Sequence, residues 1–487
     1  MTDKPQKPRR GKPSSDKHRP ARPGNKSGSA KKGGADKSVR PPEARALALA
    51  MLGRIIHQRQ TLDEALNDAF GPGKPGAVLE ARDRGFARLL VTAVLRRRGQ
   101  IDDILSHCLS KPLEDTQPRL LNILRLGAVQ ILFLETAPHA AVDATVRLAG
   151  KHASQRGLIN AILRRLDREG RDWVSEQEKA GVTGRLNTPE WLWQSWSDAW
   201  GEKATDRIAA CHAEEPALDL TLQPDSNAAE LAEELSAVVM QNGSLRRAGG
   251  GRIEDLPGYA EGKWWVQDVS ATLPATLLLS SLDANELSGP VIDLCAAPGG
   301  KTAQLAASGA SVTAVDMSGK RLQRVTENLT RLNLEAEVIK ADIRKWQPDH
   351  KAAGVLLDAP CSATGTIRRH PDAAWSKSPS EVKRLVKIQQ ELIRSAADML
   401  MPGGVLVYCT CSLQPEEGEA QAERMRHRDD LIHLPFKSDE LTGFGSSVTA
   451  EGDIRILPGQ VVVPDGGEEP VAGGNDGFFI TRFKRAE

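Results

Sequence analysis

Two cysteines of this 487-residue chain stand where a thiol could act as a nucleophile. Cys361 and Cys411 each follow a short run of aliphatic residues and precede a serine, in the strings Asp358-Ala-Pro-Cys-Ser362 and Cys409-Thr-Cys-Ser412. A single cysteine is most often a small buried hydrophobe. Two at the ends of successive predicted strands are better explained as a working pair, because an α/β sheet forms its site at that edge.

A pair of thiols suits methyl transfer to carbon 5 of cytosine. This carbon is a poor nucleophile, but adding a thiolate to carbon 6 creates an enamine that can take a methyl group from a sulfonium donor. The C5 proton must then leave and the thiolate must be expelled, so a second group is useful. Cys409 lies within the strand ending and is interpreted as structural. A metal held by Cys409 and Cys411 would lack further ligands, so no metal site is predicted.

A glycine-rich turn and two strand-end acids predict a nucleoside site. The string Asp293-Leu-Cys-Ala-Ala-Pro-Gly-Gly-Lys-Thr302 follows a strand, and its glycines allow a ligand to approach the backbone. A Walker A loop needs glycine where this chain has Cys295. Asp316 can accept hydrogen bonds from ribose hydroxyls, and Asp342 could meet an adenine amino group. The pattern fits an adenosine moiety without a pyrophosphate; the alternative is a dinucleotide fold with a degenerate turn.

Residues at strand ends can meet only if their strands form one sheet. The chain from about Leu287 has the alternating pattern that such a sheet requires. Short β-rich runs alternate with helical stretches such as 319–332 and 380–400, which predicts a largely parallel sheet covered by helices on both faces. The ligand should lie at the carboxyl ends of its strands. The predicted strands are Val291–Leu294, Ser311–Val315, Ala336–Ile339, Gly354–Leu357 and Val405–Tyr408.

The chain before this sheet is helical up to about residue 170. Apolar residues recur at helical spacing, in 45–52, 79–98, 120–134, 142–148 and 158–166. Residues 188–260 have a mixed pattern that predicts a small α+β module, with the tryptophans of 191–200 as core anchors. Arginines concentrate in the helical region and suggest an RNA-facing surface, with solvated helix faces as the alternative; they are Arg82, Arg84, Arg88, Arg96, Arg97, Arg98, Arg156, Arg164, Arg165 and Arg168.

Composition excludes several classes of protein. The chain has no run of 18 apolar residues, so no membrane span is predicted. It has no apolar segment behind the first charges, so no secretory signal peptide is predicted. Six scattered cysteines indicate a reduced, cytosolic chain. Residues 1–40 hold eight Lys and five Arg against three Asp, a net of +10, so the other 447 residues sum to −9. This basic arm is predicted to be disordered, and it either contacts nucleic acid or only solubilises the chain.

The helical region resembles the NusB family of all-helical RNA-binding domains over residues 42–168. The resemblance is carried by four strings in order: Asp83–Leu90, Leu124–Gln130, Pro138–Asp143 and Gly157–Arg164.

The rest of the chain resembles the Sun/RsmB family of RNA 5-methylcytosine methyltransferases. A NusB-like domain followed by this catalytic module is that family's architecture, so the resemblance spans residues 42–484. An Arg-x-Asn element expected at Leu220–Pro224 is absent. The strings that carry the resemblance are Cys295–Lys301, Asp358–Cys361 with Ile367–Asp372, Thr410–Ser412 with Pro415–Glu417, Trp265–Asp268 with Ser270, and Asp476–Phe479.

The resemblance implies methylation of carbon 5 of one cytidine in small-subunit (16S) ribosomal RNA, with S-adenosyl-L-methionine as methyl donor. It implies Cys411 as nucleophile and Cys361 as the residue that assists product release. Cys361 is also the rival nucleophile, since DNA cytosine methyltransferases use a Pro-Cys thiol. The implied donor site is Cys295, Ala296, Ala297, Pro298, Gly299, Gly300, Lys301, Asp316, Asp342 and Asp358.

The predicted fold is therefore multidomain, and the enzyme is expected to be a cytoplasmic monomer that binds ribosomal RNA and no membrane. One alternative is a tRNA cytosine-C5 methyltransferase, which the NusB-like domain disfavours. The other is a catalytically idle, RNA-binding ribosome assembly factor, which the intact Cys361, Cys411 and Lys301 disfavour. The predicted domains are a basic arm (1–40), an all-α NusB-like bundle (41–170), a linker with a small α+β RNA-contacting module (171–260) and an α/β Rossmann-like methyltransferase domain (261–487).

Overall fold

A computed structural model describes residues 43–487, apart from 111, 113–115, 135, 249–250, 286, 461–463 and 468–470. The predicted basic arm, residues 1–40, lies outside the described residues. In the described part of the chain, helices come first, a small antiparallel sheet follows, and a large mixed sheet completes the fold.

The first helices pack their apolar stripes against one another around a central helix. Every residue from Leu120 to Ile131 of that helix is buried, as expected for a helix enclosed by others. The elements are α1 (Ala44–Gln58), α2 (Leu62–Phe70), α3 (Ala81–Arg96), α4 (Arg98–Ser106), the central α5 (Pro118–Leu132), α6 (Pro138–Arg147) and α7 (Ala153–Lys179).

The predicted helix over residues 79–98 is wrong at its end. The backbone leaves helical geometry at Arg97, so α3 ends at Arg96 and a separate α4 begins at Arg98. Gly99 lets α4 pack closely against the chain at Leu186: a Cβ at Gly99 would lie 1.7 Å from the carbonyl oxygen of Leu186. Only glycine permits so close an approach, and periodicity within one segment does not show it.

The middle of the chain combines helices with a small antiparallel sheet, whose strand order is β2-β3-β1-β4. Asp219 and Arg246 face each other across β1 and β3, both buried and joined by two hydrogen bonds of 2.7 and 2.8 Å. The elements are α8 (Thr183–Asn187), α9 (Glu190–Trp200), α10 (Glu202–Ala213), β1 (Leu218–Leu222), α11 (Ala228–Leu235), β2 (Val238–Val239), β3 (Leu245–Arg247) and β4 (Trp264–Val266).

The large sheet has a parallel part in the order β9-β8-β5-β6-β7, and the predicted α/β domain is confirmed. The chain runs outward from β5 to β7 and then returns to the other side of β5, so a crevice is expected at the carboxyl ends of β5 and β8. The elements are α12 (Val269–Ala284), β5 (Val291–Leu294), α13 (Gly300–Ala307), β6 (Val312–Asp316), α14 (Gly319–Leu332), β7 (Glu337–Lys340), β8 (Ala352–Asp358), α15 (Ala373–Ser376), α16 (Pro379–Met399) and β9 (Leu400–Thr410).

Three further strands extend the sheet in antiparallel fashion and were not predicted. The last of them pairs with β9 from Phe479 opposite Thr410 to Lys484 opposite Val405. It therefore covers β9, the strand that leads to Cys411, on the side opposite β8. These elements are α17 (Glu419–Arg426), β10 (Leu431–His433), β11 (Ile454–Ile456) and β12 (Phe478–Arg485).

Candidate active site

The turn after β5 brings the chain close to the ends of the neighbouring strands. Gly299 has φ +104° and caps α13, and a Cβ there would lie 3.1 Å from Val325 of α14. Behind the turn, buried Asp293 accepts a 2.6 Å hydrogen bond from the Thr302 hydroxyl. Burial raises the pKa of Asp293 to about 7. The turn is thus tightly packed, and the carboxyl group behind it holds its proton more strongly than an exposed aspartate does.

Asp316 ties the turn after β5 to the end of β6. Its Oδ2 accepts from the backbone N–H of Ala297 at 3.2 Å, and its Oδ1 accepts from that of Ser318 at 2.8 Å. The guanidinium of Arg321 lies 3.6 Å from Oδ2 and also donates to the carbonyl of Ala297. Two predicted site residues, Ala297 and Asp316, are thus brought together. The contacts of Arg321 with these two residues were not predicted.

Asp342 lies two residues beyond β7, and the structure engages it locally. Its carboxylate accepts 2.9 and 2.8 Å hydrogen bonds from the Arg344 guanidinium, which also reaches Glu391. The bond from Arg344 lowers the pKa of Asp342. The predicted acid is therefore at the sheet edge, but its contacts are with Arg344.

Lys301 and Asp358 join the turn after β5 to the end of β8. The Lys301 Nζ atom lies 2.7 Å from Asp358 Oδ2 and 5.3 Å from the centre of the Phe478 ring. Burial lowers the pKa of Lys301, but the Asp358 carboxylate, together with smaller contributions from Cys409 and Cys411, outweighs burial and raises the pKa overall. The Cys409 thiol lies 3.6 Å from the other oxygen, Asp358 Oδ1. Cys409 is fully buried, in agreement with the structural role predicted for it.

The two predicted thiols meet. The Sγ atoms of Cys361 and Cys411 lie 3.6 Å apart, and both residues are partly exposed. The hydrogen bond with Cys411, together with burial, raises the pKa of Cys361 well above its ordinary value. Cys295, by contrast, is separate from this pair; burial and the nearby Asp358 raise the pKa of its thiol. The structure therefore isolates one pair of thiols at the sheet edge.

A buried charge cluster joins three of the strings that carry the family resemblance. Arg368 donates to Asp476 at 3.0 Å and also pairs with Asp268, and all three side chains are at most 1% exposed. Neighbouring Arg369 donates to Asp476 at 2.9 Å. Sequence reasoning noted the strings but not their pairing. The signal was present, because one string is cationic and the other two are acidic.

The helical region contacts the segment that follows Cys361. The Trp375 indole donates to the carbonyl of Leu95 at 2.8 Å, and Arg96 donates to the carbonyl of Arg368 at 2.9 Å. The Arg98 guanidinium lies over the Trp375 ring, 4.5 Å from its centre. Part of the arginine run thus holds the sheet domain instead of facing RNA.

Helix length and the grouping of possible metal ligands bear on whether the described residues form a membrane span or a metal site. Among the described residues, no helix has the length and apolarity needed to cross a membrane. Within the same residues, no cluster of three or more His, Cys, Asp or Glu side chains could hold a metal ion.

Comparison with known proteins first defines the class. The family described as 16S rRNA methyltransferase RsmB/F matches residues 279–484, and the NusB family matches residues 42–168. The fold is shared with the crystal structure of PH0851, which has a TM-score of 0.67, is 22% identical, and is matched over 92% of this chain and 99% of that one. The class is thus a Rossmann-like methyltransferase with a NusB domain.

Curated relatives then define the family. The chain is 33% identical to the "Probable ribosomal RNA small subunit methyltransferase B" of Synechocystis sp., over 91% of this chain and 99% of the relative. It is 33% identical to the ribosomal RNA small subunit methyltransferase B of Erwinia tasmaniensis, over 84% and 95%. The chain belongs to the ribosomal RNA small subunit methyltransferase B family, and the predicted resemblance is confirmed.

Proposed function

We propose that this protein transfers a methyl group from S-adenosyl-L-methionine to carbon 5 of a specific cytidine in 16S ribosomal RNA. The observation that carries the proposal is the pair of thiols, Cys361 and Cys411, 3.6 Å apart at the ends of adjacent strands. Covalent methylation of cytosine needs one thiolate to attack and a second group for release. Two thiols at this distance can act on one base.

The residues after β5 and β6 suit the methyl donor. Each oxygen of Asp316 accepts one backbone hydrogen bond and keeps a lone pair for a ribose hydroxyl. The turn at Gly299 allows a ligand to approach the backbone, but it is not a phosphate-binding Walker A loop. This suits an adenosine moiety that carries no pyrophosphate. We assign donor binding to Cys295–Lys301, Asp316, Asp342 and Asp358. When bound, S-adenosyl-L-methionine supplies an electrophilic methyl group on a sulfonium sulfur.

Cys411 is assigned as the nucleophile. Its Sγ forms a bond to carbon 6, the C5=C6 electron pair moves to carbon 5, and carbon 5 bonds to the methyl carbon as the methyl–sulfonium bond breaks and leaves its electrons on the donor sulfur. Release requires the C5 proton to pass to solvent water; the electron pair of that C–H bond restores C5=C6 as the C6–S bond breaks, and Cys411 leaves as a thiolate. Cys361 is assigned to this release step, because its thiol is held beside Cys411 and its raised pKa favours the protonated form, which can donate a hydrogen bond to the departing Cys411 thiolate.

RNA binding is assigned to the helical domain and the basic arm. Exposed arginines on α3 and α7 offer contacts to phosphate groups; they are Arg82, Arg88, Arg156, Arg164 and Arg168. The target base must leave its stack to reach the thiols, which costs a few kcal/mol. We propose that the enzyme works in the cytoplasm as a monomer, which light scattering of the purified protein tests.

The test is transfer of a labelled methyl group. Purified protein, labelled S-adenosyl-L-methionine and small-subunit RNA should yield 5-methylcytidine in nuclease digests, with Cys411→Ala as the inactive control. Transfer to tRNA instead would support the tRNA enzyme, and no transfer to either RNA would support an idle assembly factor. Bisulfite sequencing of total RNA from a deletion strain would then locate the cytidine.

A further inference from the structure

The carboxylate of Glu417 lies between the two loops that carry the thiols. Its Oε1 accepts hydrogen bonds from the backbone N–H of Ser362 and from the amide of Gln389, both at 3.0 Å. Its Oε2 accepts from the hydroxyls of Ser362 at 2.5 Å and Ser412 at 2.6 Å. Ser362 directly follows Cys361, and Ser412 directly follows Cys411. One side chain thus binds the neighbour of each thiol.

This arrangement differs from an ordinary buried ion pair. Glu417 is fully buried, and among the described residues no Lys, Arg or His nitrogen lies within 4.0 Å of its carboxylate. Hydrogen-bond donors alone compensate its charge. Burial raises the pKa of Glu417, and the bonds from Ser362 and Ser412 oppose this shift without reversing it. A buried acceptor is costly to leave without donors, so the two loops are held against it.

Further bonds make the two loops one unit. The Gln389 amide that reaches Glu417 also donates to the carbonyl of Pro360 at 3.0 Å. The backbone N–H of Gly365 donates to the carbonyl of Cys411 at 2.9 Å, and the Tyr408 hydroxyl donates to the carbonyl of Glu417 at 2.6 Å. The serine hydroxyls also contact each other at 3.0 Å and the Thr364 hydroxyl at 3.4 Å, but their bonds to the Glu417 carboxylate are the shortest of this group.

We propose that Glu417 is a positioning residue for the methyl transfer, which holds the loops of Cys361 and Cys411 so that both thiols face one base. The inference rests on the proposed function. Glu417 bonds to the serines and not to the thiols, so it acts through the loops. Loss of its charge should separate the sulfur atoms, and misplacement of reacting groups by about 1 Å can cost about 100-fold in rate.

The experiment compares Glu417→Gln with wild type and with Glu423→Gln, which removes the same charge from an exposed position on α17. The first measurement needs no substrate: diamide oxidises the Cys361–Cys411 pair, and peptide mass spectrometry follows the disulfide. Glu417→Gln should slow its formation at least about tenfold, because a charge-assisted bond is lost from each loop. Glu423→Gln should match wild type.

The second measurement is steady-state kinetics. In Glu417→Gln, kcat should fall by about 100-fold, while KM for RNA and for methyl donor stays within about threefold of wild type, since neither binding site is altered. A merely structural role would instead lower Tm and the active fraction without changing the cross-linking rate of the folded protein. Unchanged cross-linking, or an unchanged kcat, overturns the inference.

A second pair of variants tests the same inference if Glu417→Gln folds poorly. Ser362→Ala and Ser412→Ala each remove one hydroxyl from the same carboxylate, and each should slow cross-linking and lower kcat. Their effects should be non-additive in the double variant; additive effects would contradict a shared carboxylate. If wild type methylates no cytosine, the proposed function fails, and the cross-linking rates still decide whether Glu417 positions the thiols.

Discussion

Cys361 and Cys411 are chemically alike but have different surroundings. Cys361 follows β8, and its hydrogen bond with Cys411, its partial burial and the nearby charge of Glu417 all raise the pKa of its thiol. Cys411 follows β9, where the carbonyl of Ser412 is held by Arg455 at 2.6 Å. The raised pKa of Cys361 fits the release role proposed for it, and the difference in surroundings leads to the first prediction.

Substitution of the two cysteines should separate attack from release. Cys361→Ala should still attack carbon 6 and then stall, so a protein–RNA species should survive denaturing gel electrophoresis. Cys411→Ala and the double variant should form none, because adduct formation and elimination are distinct steps. The reverse pattern would make Cys361 the nucleophile. Loss of folding in both single variants, with no adduct, would make the cysteines structural.

Asp316 provides a second prediction at the residue scale. Asp316→Ala should weaken binding of S-adenosyl-L-methionine by about one to two decades and leave RNA affinity nearly unchanged, because a charged acceptor worth about 1.5–3 kcal/mol is lost. Calorimetry measures the donor affinity, with the exposed Asp349→Ala as control. An unchanged affinity for the donor would remove Asp316 from the site.

His212 predicts a pH dependence of stability. Burial and the nearby charge of Arg368 lower the pKa of His212 to about 3, while its ring packs edge-on against Trp196 at 5.6 Å. A lowered pKa gives stability that is present above the unfolded value of about 6.5 and lost as pH falls toward 3.

When the pH is lowered from 7.5 to 5, the unfolding free energy should therefore fall by about 2 kcal/mol because of this histidine. Urea denaturation of His212→Phe, which keeps an aromatic ring beside Trp196, should show a smaller loss over that range. An identical pH profile in the variant and in wild type would mean that His212 titrates normally.

At the scale of elements, the segment after Cys361 is held from two sides. Arg368 ties it to the sheet domain through Asp268 and Asp476, and Trp375 ties it to the helical domain. The backbone N–H of Leu62, at the start of α2, donates to Asp372 at 3.0 Å. The helical domain is thus part of the structural support of the loop that carries a thiol.

Trp375 tests this support. Trp375→Ala removes a large, partly buried side chain that packs against the helical core, together with its hydrogen bond to Leu95, and should lower the unfolding free energy by about 3 kcal/mol. Trp375→Phe keeps most of the packing and should lose only about 1 kcal/mol. Denaturant titration measures both. Equal stability of Trp375→Ala and wild type would show that the contact between the domains contributes little.

At the scale of the whole molecule, charge is divided unevenly along the chain. Residues 1–40 carry a net charge of +10 and the remainder −9, with exposed arginines on α3 and α7. Long-range attraction of RNA should therefore depend on the arm and on those helices. The prediction for the arm comes from the sequence, since these residues lie outside the described part of the chain.

Deleting residues 1–40 should lower RNA affinity and flatten its dependence on salt, because fewer counterions are released on binding. Tm should stay the same, since the deletion removes no predicted core residue. Binding titrations at several salt concentrations, together with thermal melts, measure both effects. An unchanged salt slope would mean that the arm only solubilises the chain.

The sequence by itself determined what local pattern and composition encode. Periodicity placed the strands β5 to β8 and the helices α3, α5, α14 and α16 within a few residues, because each pattern reflects the burial of one segment. The spacing of Cys361 and Cys411 after successive strands predicted that the thiols would meet, because parallel strands end at a common edge.

Tertiary structure alone decided which distant groups became partners. The pairing of β12 with β9, the meeting of Ser362 and Ser412 at Glu417, and the bond from Arg96 to Arg368 join residues that are far apart in sequence. A local pattern shows that a residue is buried or charged, but not which remote group satisfies it. That choice follows from packing, which requires every buried donor and acceptor to find a partner in three dimensions.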